Sequence, residues 1–185
     1  MAKAKGSVIL QAVRTLRQNL ERAQKVLPPA LQSYLTERII VSQWYPEEDY
    51  HQLVKAVVAI LPPMPDPWDF VGRMQAQIDL SGTYRAMLRP GDGMATLKAM
   101  REMWRMHHDS GTVELRPAHE GAFVEMADYA IVSRELCAAY TGFMRQMAEM
   151  SLGKDSDVRH VQCRARGDAL CSWRVRFLAA AGAPE

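Results

Sequence analysis

Cys137-Ala-Ala-Tyr-Thr-Gly-Phe143 and, further along, Arg159-His160-Val161-Gln162-Cys163-Arg164-Ala-Arg-Gly167-Asp168-Ala-Leu-Cys171-Ser-Trp173-Arg-Val175-Arg-Phe177 carry the pattern on which the fold turns. Every cysteine of the 185-residue chain lies here, spaced Cys137-x22-His160-x2-Cys163-x7-Cys171. Thiolate and imidazole are the donors a structural zinc ion prefers, and four of them complete a tetrahedron with no open position. The spacing therefore predicts a metal-stapled regulatory or binding domain and not an enzyme. The competing reading is three buried thiols acting as small hydrophobes beside a solvent-facing histidine. Sharing one ion also sets a geometric condition. His160 and Cys163 differ by three, so a regular strand would point them to opposite faces, and a bulge or bend has to intervene.

Working outward, Val158–Ala165 and Cys171–Phe177 form a hairpin around Arg166-Gly167-Asp168-Ala169, with Cys171, Trp173, Val175 and Phe177 alternating inward. Ile131–Leu152 has helical spacing, and Thr112–Arg116 and Gly121–Met126 are short strands flanking Pro117-Ala118-His119-Glu120. The first 110 residues are mostly helical. Ser7 is the expected N-cap of a helix to about Lys25, with Leu10, Val13, Leu16 and Leu20 as its stripe, followed by a short helix over Ala30–Arg38. Trp44-Tyr45-Pro46-Glu47-Glu48 predicts a helix start whose buried stripe is Leu53, Val57, Ile60 and Leu61. Helices over about Trp68–Leu80 and Met94–His108 complete the pattern, and the tail Leu178–Glu185 is expected to fray. The fold class is α+β in a single domain spanning 1–185: a mostly helical part over 1–110, then over 111–178 a small antiparallel sheet, a long helix and a C-terminal hairpin.

The totals narrow the class. At 185 residues, 48% hydrophobic and 24% charged, the chain is a globular domain able to bury about 70% of its unfolded surface. A net charge of +2 is too mild to point to nucleic acid or an anionic membrane. No apolar run reaches the roughly 18 residues a membrane span needs. Three cysteines without an export signal fit a reducing cytoplasm, the expected location.

The region from Cys137 to Phe177 resembles the 4-vinyl reductase domain, most closely the zinc-containing sensory domain of aromatic-responsive transcription activators. In those sensors a cysteine opens a helix, an acidic residue and a cysteine close the next strand, and a third cysteine enters the last one. Here His160 stands where they carry a glutamate ligand, and imidazole is an equally good donor. The resemblance implies a fold shared with trafficking subunits and haem-based gas sensors, a structural zinc held by Cys137, His160, Cys163 and Cys171, and a homodimer. The first 110 residues resemble, more loosely, stand-alone bacterial proteins of similar length, through Trp44-Tyr45-Pro46 and Gly82–Tyr84.

Twelve methionines are unusually many. Met100, Met103, Trp104 and His107 share a helix face, as do Tyr140, Phe143, Met144 and Met147. Such a lining suits an apolar ligand pocket, with His107 or Tyr140 as the orienting polar contact; the simpler reading is two core stripes packing together. His107 and His108 diverge by about 100° on a helix, which disfavours a shared haem or metal ion. His51 and His119 sit among charged neighbours and are surface candidates. Arg159, Arg164, Arg166, Arg174 and Arg176 form a basic hairpin face, read as solvated or protein-facing. No nucleophile motif, phosphate loop or dinucleotide fingerprint is present. The expected function is a non-catalytic regulatory or sensory domain that binds a small hydrophobic ligand or a protein partner and signals through its contacts. A ligand-free dimerisation or scaffold module of the same fold is the alternative.

Overall fold

The computed structural model describes residues 1–153 and 156–177; the tail from Leu178 lies outside them. The chain is a mixed α+β fold with two antiparallel sheets. It divides into two compact units. One is Met1–Pro67 with Arg105–Ser110; the other is Trp68–Trp104 with the chain from Gly111 onward.

In the first, helical unit, β1 (Lys3–Lys5) pairs with β2 (Trp44–Pro46), in register Ala4 to Tyr45. Neither strand was expected: three residues are too few to show alternation, and Trp44-Tyr45-Pro46 was assigned to a helix start. α1 (Gly6–Gln18) and α2 (Leu20–Val26) follow β1, then a 3-10 turn over Pro29–Leu35. The single helix expected to Lys25 is broken at Asn19, whose backbone leaves helical geometry while its side-chain amide donates to the Thr15 carbonyl. Ser7 is not the cap. The helix already begins at Gly6, and the Ser7 N–H donates to the Val41 carbonyl. The buried stripe is accordingly Ile9, Ala12, Val13 and Leu16, while Leu20, beyond the break, is exposed.

α3 (Glu47–Ile60) begins with three acids in its first turn, where the helix dipole favours negative charge, and packs Leu53, Val57 and Ile60 inward against α1. Glu47 itself is fully buried, with a carboxylate held by His108 Nδ1 at 2.6 Å and by the Ser110 hydroxyl. A buried carboxylate is tolerable only with such partners.

In the second unit, α4 (Pro67–Ser81) leads to α5 (Gly93–His107), β3 (Thr112–Ala118), β4 (Gly121–Ala127), α6 (Arg134–Leu152), β5 (Ser156–Gln162) and β6 (Cys171–Phe177). The strands form one antiparallel sheet ordered β3-β4-β6-β5, so the terminal strand inserts between β4 and β5. Period-2 alternation places Ala122, Val124 and Met126 on the inner face opposite Val175, Trp173 and Cys171. α6 packs on β5 and β6 and contributes Leu136, Met144 and Met147 to that core. α4 crosses α6 at a reciprocal pair of glycines. A Cβ on Gly72 would overlap the Ala139 carbonyl, and one on Gly142 would overlap that of Asp69. The crossing is pinned by Asp69, which binds Arg145 at 2.6 Å and Arg73 at 2.9 Å.

Candidate metal centre

Three local structures bring the cysteines and His160 together. Ser133 caps α6, accepting a hydrogen bond from the Leu136 N–H at 3.2 Å, so Cys137 falls on the buried side of the first turn. His160 lies on β5 opposite Trp173 of β6, with which it shares the inner face. A register shift between His160 and Gln162 then changes the parity of the strand, and Cys163 returns to the face His160 occupies. The bend that sharing an ion demands is therefore present. Beyond Cys163 a 3-10 turn over Arg164–Arg166 ends at left-handed Gly167 (φ 97°), and Asp168 closes the loop by accepting the Cys163 N–H at 2.6 Å. That loop delivers Cys171 at the start of β6.

The four donor atoms all lie within 4.8 Å of one another. Cys137 Sγ is 3.6 Å from Cys171 Sγ and 3.9 Å from Cys163 Sγ. Thiolate–metal bonds of about 2.3 Å give a tetrahedral edge of about 3.8 Å, so the sulfur spacing is that of a coordination shell and too long for a disulfide. All three thiols are free and buried. Nε2 of His160 is buried and has no hydrogen-bond partner. A buried ring nitrogen so placed wants an acceptor or an ion. The imidazole plane is set by Trp173, stacked at 4.8 Å and 17°. Trp173 is in turn anchored by its indole N–H to Thr141 Oγ1 at 2.9 Å, and Thr141 donates to the Cys137 carbonyl at 2.7 Å.

The thiols are electrostatically unequal. The hydrogen bond from Cys137 lowers Cys171 below an ordinary thiol, helped by the Arg164 N–H and the nearby His160 ring and opposed by burial. The same pairing, with desolvation, pushes Cys137 up. Of the three thiols, Cys171 is the one the surroundings bias toward the thiolate, the form in which sulfur binds a metal. Arg164 also donates to the Tyr129 carbonyl at 2.5 Å, tying the loop before α6 to the same turn.

The expected ligand-pocket residues are placed differently. Met144 and Met147 are buried, and Trp104 meets Tyr140 edge-on at 5.6 Å. Tyr129 and Trp173 join them, at 5.0 Å from Trp104 and 6.4 Å from Tyr140 respectively. Met100, Met103 and Phe143 are partly exposed, and His107 belongs to the helical unit. A cavity that Tyr140 lines beside Cys137 and Cys171 measures about 10 Å³, the space of one water. Tyr129, a lone loop aromatic with no periodicity around it, was not singled out in the sequence. On the outer face of the sheet Arg116, Arg159 and Arg176 are each paired with a carboxylate, as a solvated surface would have them. His119 is solvent-exposed, and His51 lies 3.8 Å from Glu48.

No family model matches the chain, and no curated protein does. Solved structures do. An oxygen-binding H-NOX domain related to soluble guanylate cyclases, in its oxygen complex, superposes with a TM-score of 0.67 at 13% identity, covering 98% of each chain. An H-NOX protein from S. oneidensis in the Fe(II)NO state gives 0.65 at 14% identity over 92% of this chain and 98% of its own. A structure described for porphyrin distortion and haem redox potential gives 0.66 at 13% over 94% and 99%. The chain therefore shares its fold with H-NOX domains. This corrects the resemblance to the 4-vinyl reductase domain, which rested on some forty residues, whereas the H-NOX likeness runs through nearly the whole chain. The zinc cofactor expected with that family is withdrawn with it, since structures of this fold are described by their haem.

Within the sheet unit α5 offers no iron ligand; its one buried imidazole, His107, belongs to the helical unit. The buried positions of α5 in the sheet unit are Gly93, Thr96 and Leu97, none of which can ligate iron.

Proposed function

We propose that this chain is a non-catalytic regulatory module whose input element is one thiophilic transition-metal ion bound by Cys137, His160, Cys163 and Cys171. The observation that carries the reading is the convergence of three free thiols on a buried, unpartnered imidazole nitrogen. With four protein donors the shell is full, so the ion activates no water and acts by holding the start of α6 to the β5–β6 hairpin. Gain or loss of the ion would alter that junction and its contacts with a partner. The relatives of the fold include domains described by their ligand complexes and activation, which agrees with a sensory role. A ligand-free scaffold is the second reading, favoured by the edge-to-face packing of Trp104, Tyr129, Tyr140 and Trp173 on one another.

Titration with Co(II) under reducing, anaerobic conditions tests the proposal. The expected result is thiolate-to-cobalt absorption saturating at one ion per chain and abolished in Cys163→Ser. Absence of those bands in the wild-type protein would leave only the scaffold reading.

A further inference from the structure

The four donors are not sealed equally. Cys163 is 1% exposed and Nε2 of His160 is buried, whereas Cys137 and Cys171 keep 6% and 7% of their surface. Cys137 and Cys171 are also the two donor residues that line the cavity of about 10 Å³. One wall of that cavity is the loop between β4 and α6, through Tyr129, Ile131 and Val132. Facing it is Arg164, the first residue of the 3-10 turn after Cys163. Val132 is 50% exposed, so on its side the cavity lies one side chain from solvent.

Arg164 ties the two walls together. Its backbone N–H donates to Cys171 Sγ at 3.4 Å, and its guanidinium reaches across to the Tyr129 carbonyl at 2.5 Å. A single residue therefore runs from a donor sulfur to the opposite loop. The bond to Tyr129 is charge-assisted, and breaking it costs more than breaking a neutral one. An ion held by four protein donors exchanges only if an incoming atom finds room beside one of them, so such a site needs an entry path. Space for one water next to two sulfurs supplies that room.

We infer, on the premise that one metal ion occupies the four-donor site, that the ion enters and leaves through the cleft between Val132 and Arg164. Arg164 is the strap that holds this passage shut. Cys137 and Cys171 meet an incoming ion first, and Cys163 and His160 close on it from behind. A barrier along a passage acts on entry and exit alike. Altering it shifts both rates by the same factor and leaves their ratio, the affinity, where it was.

Stopped-flow absorption of the thiolate-to-cobalt bands tests this on the full chain under reducing, anaerobic conditions. Loading is started with Co(II) and release with excess EDTA. Arg164→Met keeps an aliphatic stem but loses the bond to the Tyr129 carbonyl. It should speed both loading and release by roughly tenfold, the rate equivalent of one charge-assisted hydrogen bond. Val132→Trp adds bulk at the mouth of the cleft and should slow both by a comparable factor. Because that side chain is half-exposed, the metal-free variant should keep the wild-type melting temperature. In both variants Kd should move far less than either rate. Loading and release unchanged in both variants overturn the inference. So does a change in release alone with a matching change in Kd, which would make these residues part of the binding energy and not of the route. Absence of cobalt bands from the wild-type protein removes the premise itself, and the wild-type trace tells that failure apart from the other two.

Discussion

His160 and Trp173 face each other across the β5–β6 ladder with rings 4.8 Å apart and 17° from parallel, an arrangement that leaves Nε2 of the imidazole buried and unpartnered. The indole that orients the histidine also reaches Thr141, which reaches the Cys137 carbonyl. One buried tryptophan therefore positions two of the four donors, one from the sheet and one from the helix.

Trp173→Leu should cost about 3 kcal/mol of stability, through lost buried volume and the lost indole hydrogen bond. It should also weaken Co(II) binding by roughly 10–100-fold, the range seen when groups that orient metal ligands are removed. Trp173→Phe keeps a ring for the imidazole to stack on and should recover most of the affinity. Chemical denaturation and Co(II) titration of the two variants separate these effects. Equal affinities in wild type and Trp173→Leu would deny the tryptophan its positioning role.

Gly142→Ala should destabilise the protein by about 2 kcal/mol, as overpacking of a tight interior contact does, and lower its melting temperature by about 4–8 °C. The added methyl would overlap the Asp69 carbonyl at the α4–α6 crossing and strain the Asp69–Arg145 and Asp69–Arg73 pairs. A thermal melt unchanged within about 1 °C would mean that the helices separate there at little cost.

Asp79 on α4 should make stability fall as pH rises. Burial raises its carboxyl to about 6, against a hydrogen bond from Gln75 that works in the opposite direction. A carboxyl whose folded value lies above its unfolded value contributes most at low pH, and the contribution is lost as pH climbs through about 6. The shift corresponds to about 2–3 kcal/mol between acidic and alkaline limits. Asp79→Asn, which cannot ionise and keeps a carbonyl for the Gln75 amide, should raise the melting temperature at pH 8 and flatten its pH dependence between about 4 and 6.5. A wild-type profile already flat across that window contradicts the assignment.

How far these features could be read in advance follows from how local their causes are. The alternation of Cys171, Trp173 and Val175 determines which face of β6 is buried, and a period of two is visible in seven residues. The acids after Pro46 mark the start of α3 because the dipole acts within one turn. By contrast, β1 is a three-residue strand whose partner lies about forty positions away, and nothing in Lys3-Ala-Lys5 signals it. The break at Asn19 also escaped, because hydrophobic spacing continues through Leu20 although the backbone does not. At the candidate site the donor set was legible from its spacing, and so was the need for a bulge. The order β4-β6-β5, which inserts the last strand and brings Cys171 beside the strand that carries His160, is a tertiary result. The family resemblance failed for a related reason. A ligand motif of four residues constrains a small region and says little about the other three-quarters of the chain.

The central claim is that Cys137, His160, Cys163 and Cys171 bind one metal ion. Native mass spectrometry of the untagged protein, purified without chelator or reductant-derived ligands, tests it most directly. The expected spectrum carries a mass excess of one transition-metal ion per chain, less the protons displaced from the thiols, and loses that excess in Cys163→Ser. A wild-type spectrum at the metal-free mass that does not change when transition-metal ions are supplied under reducing conditions would contradict it.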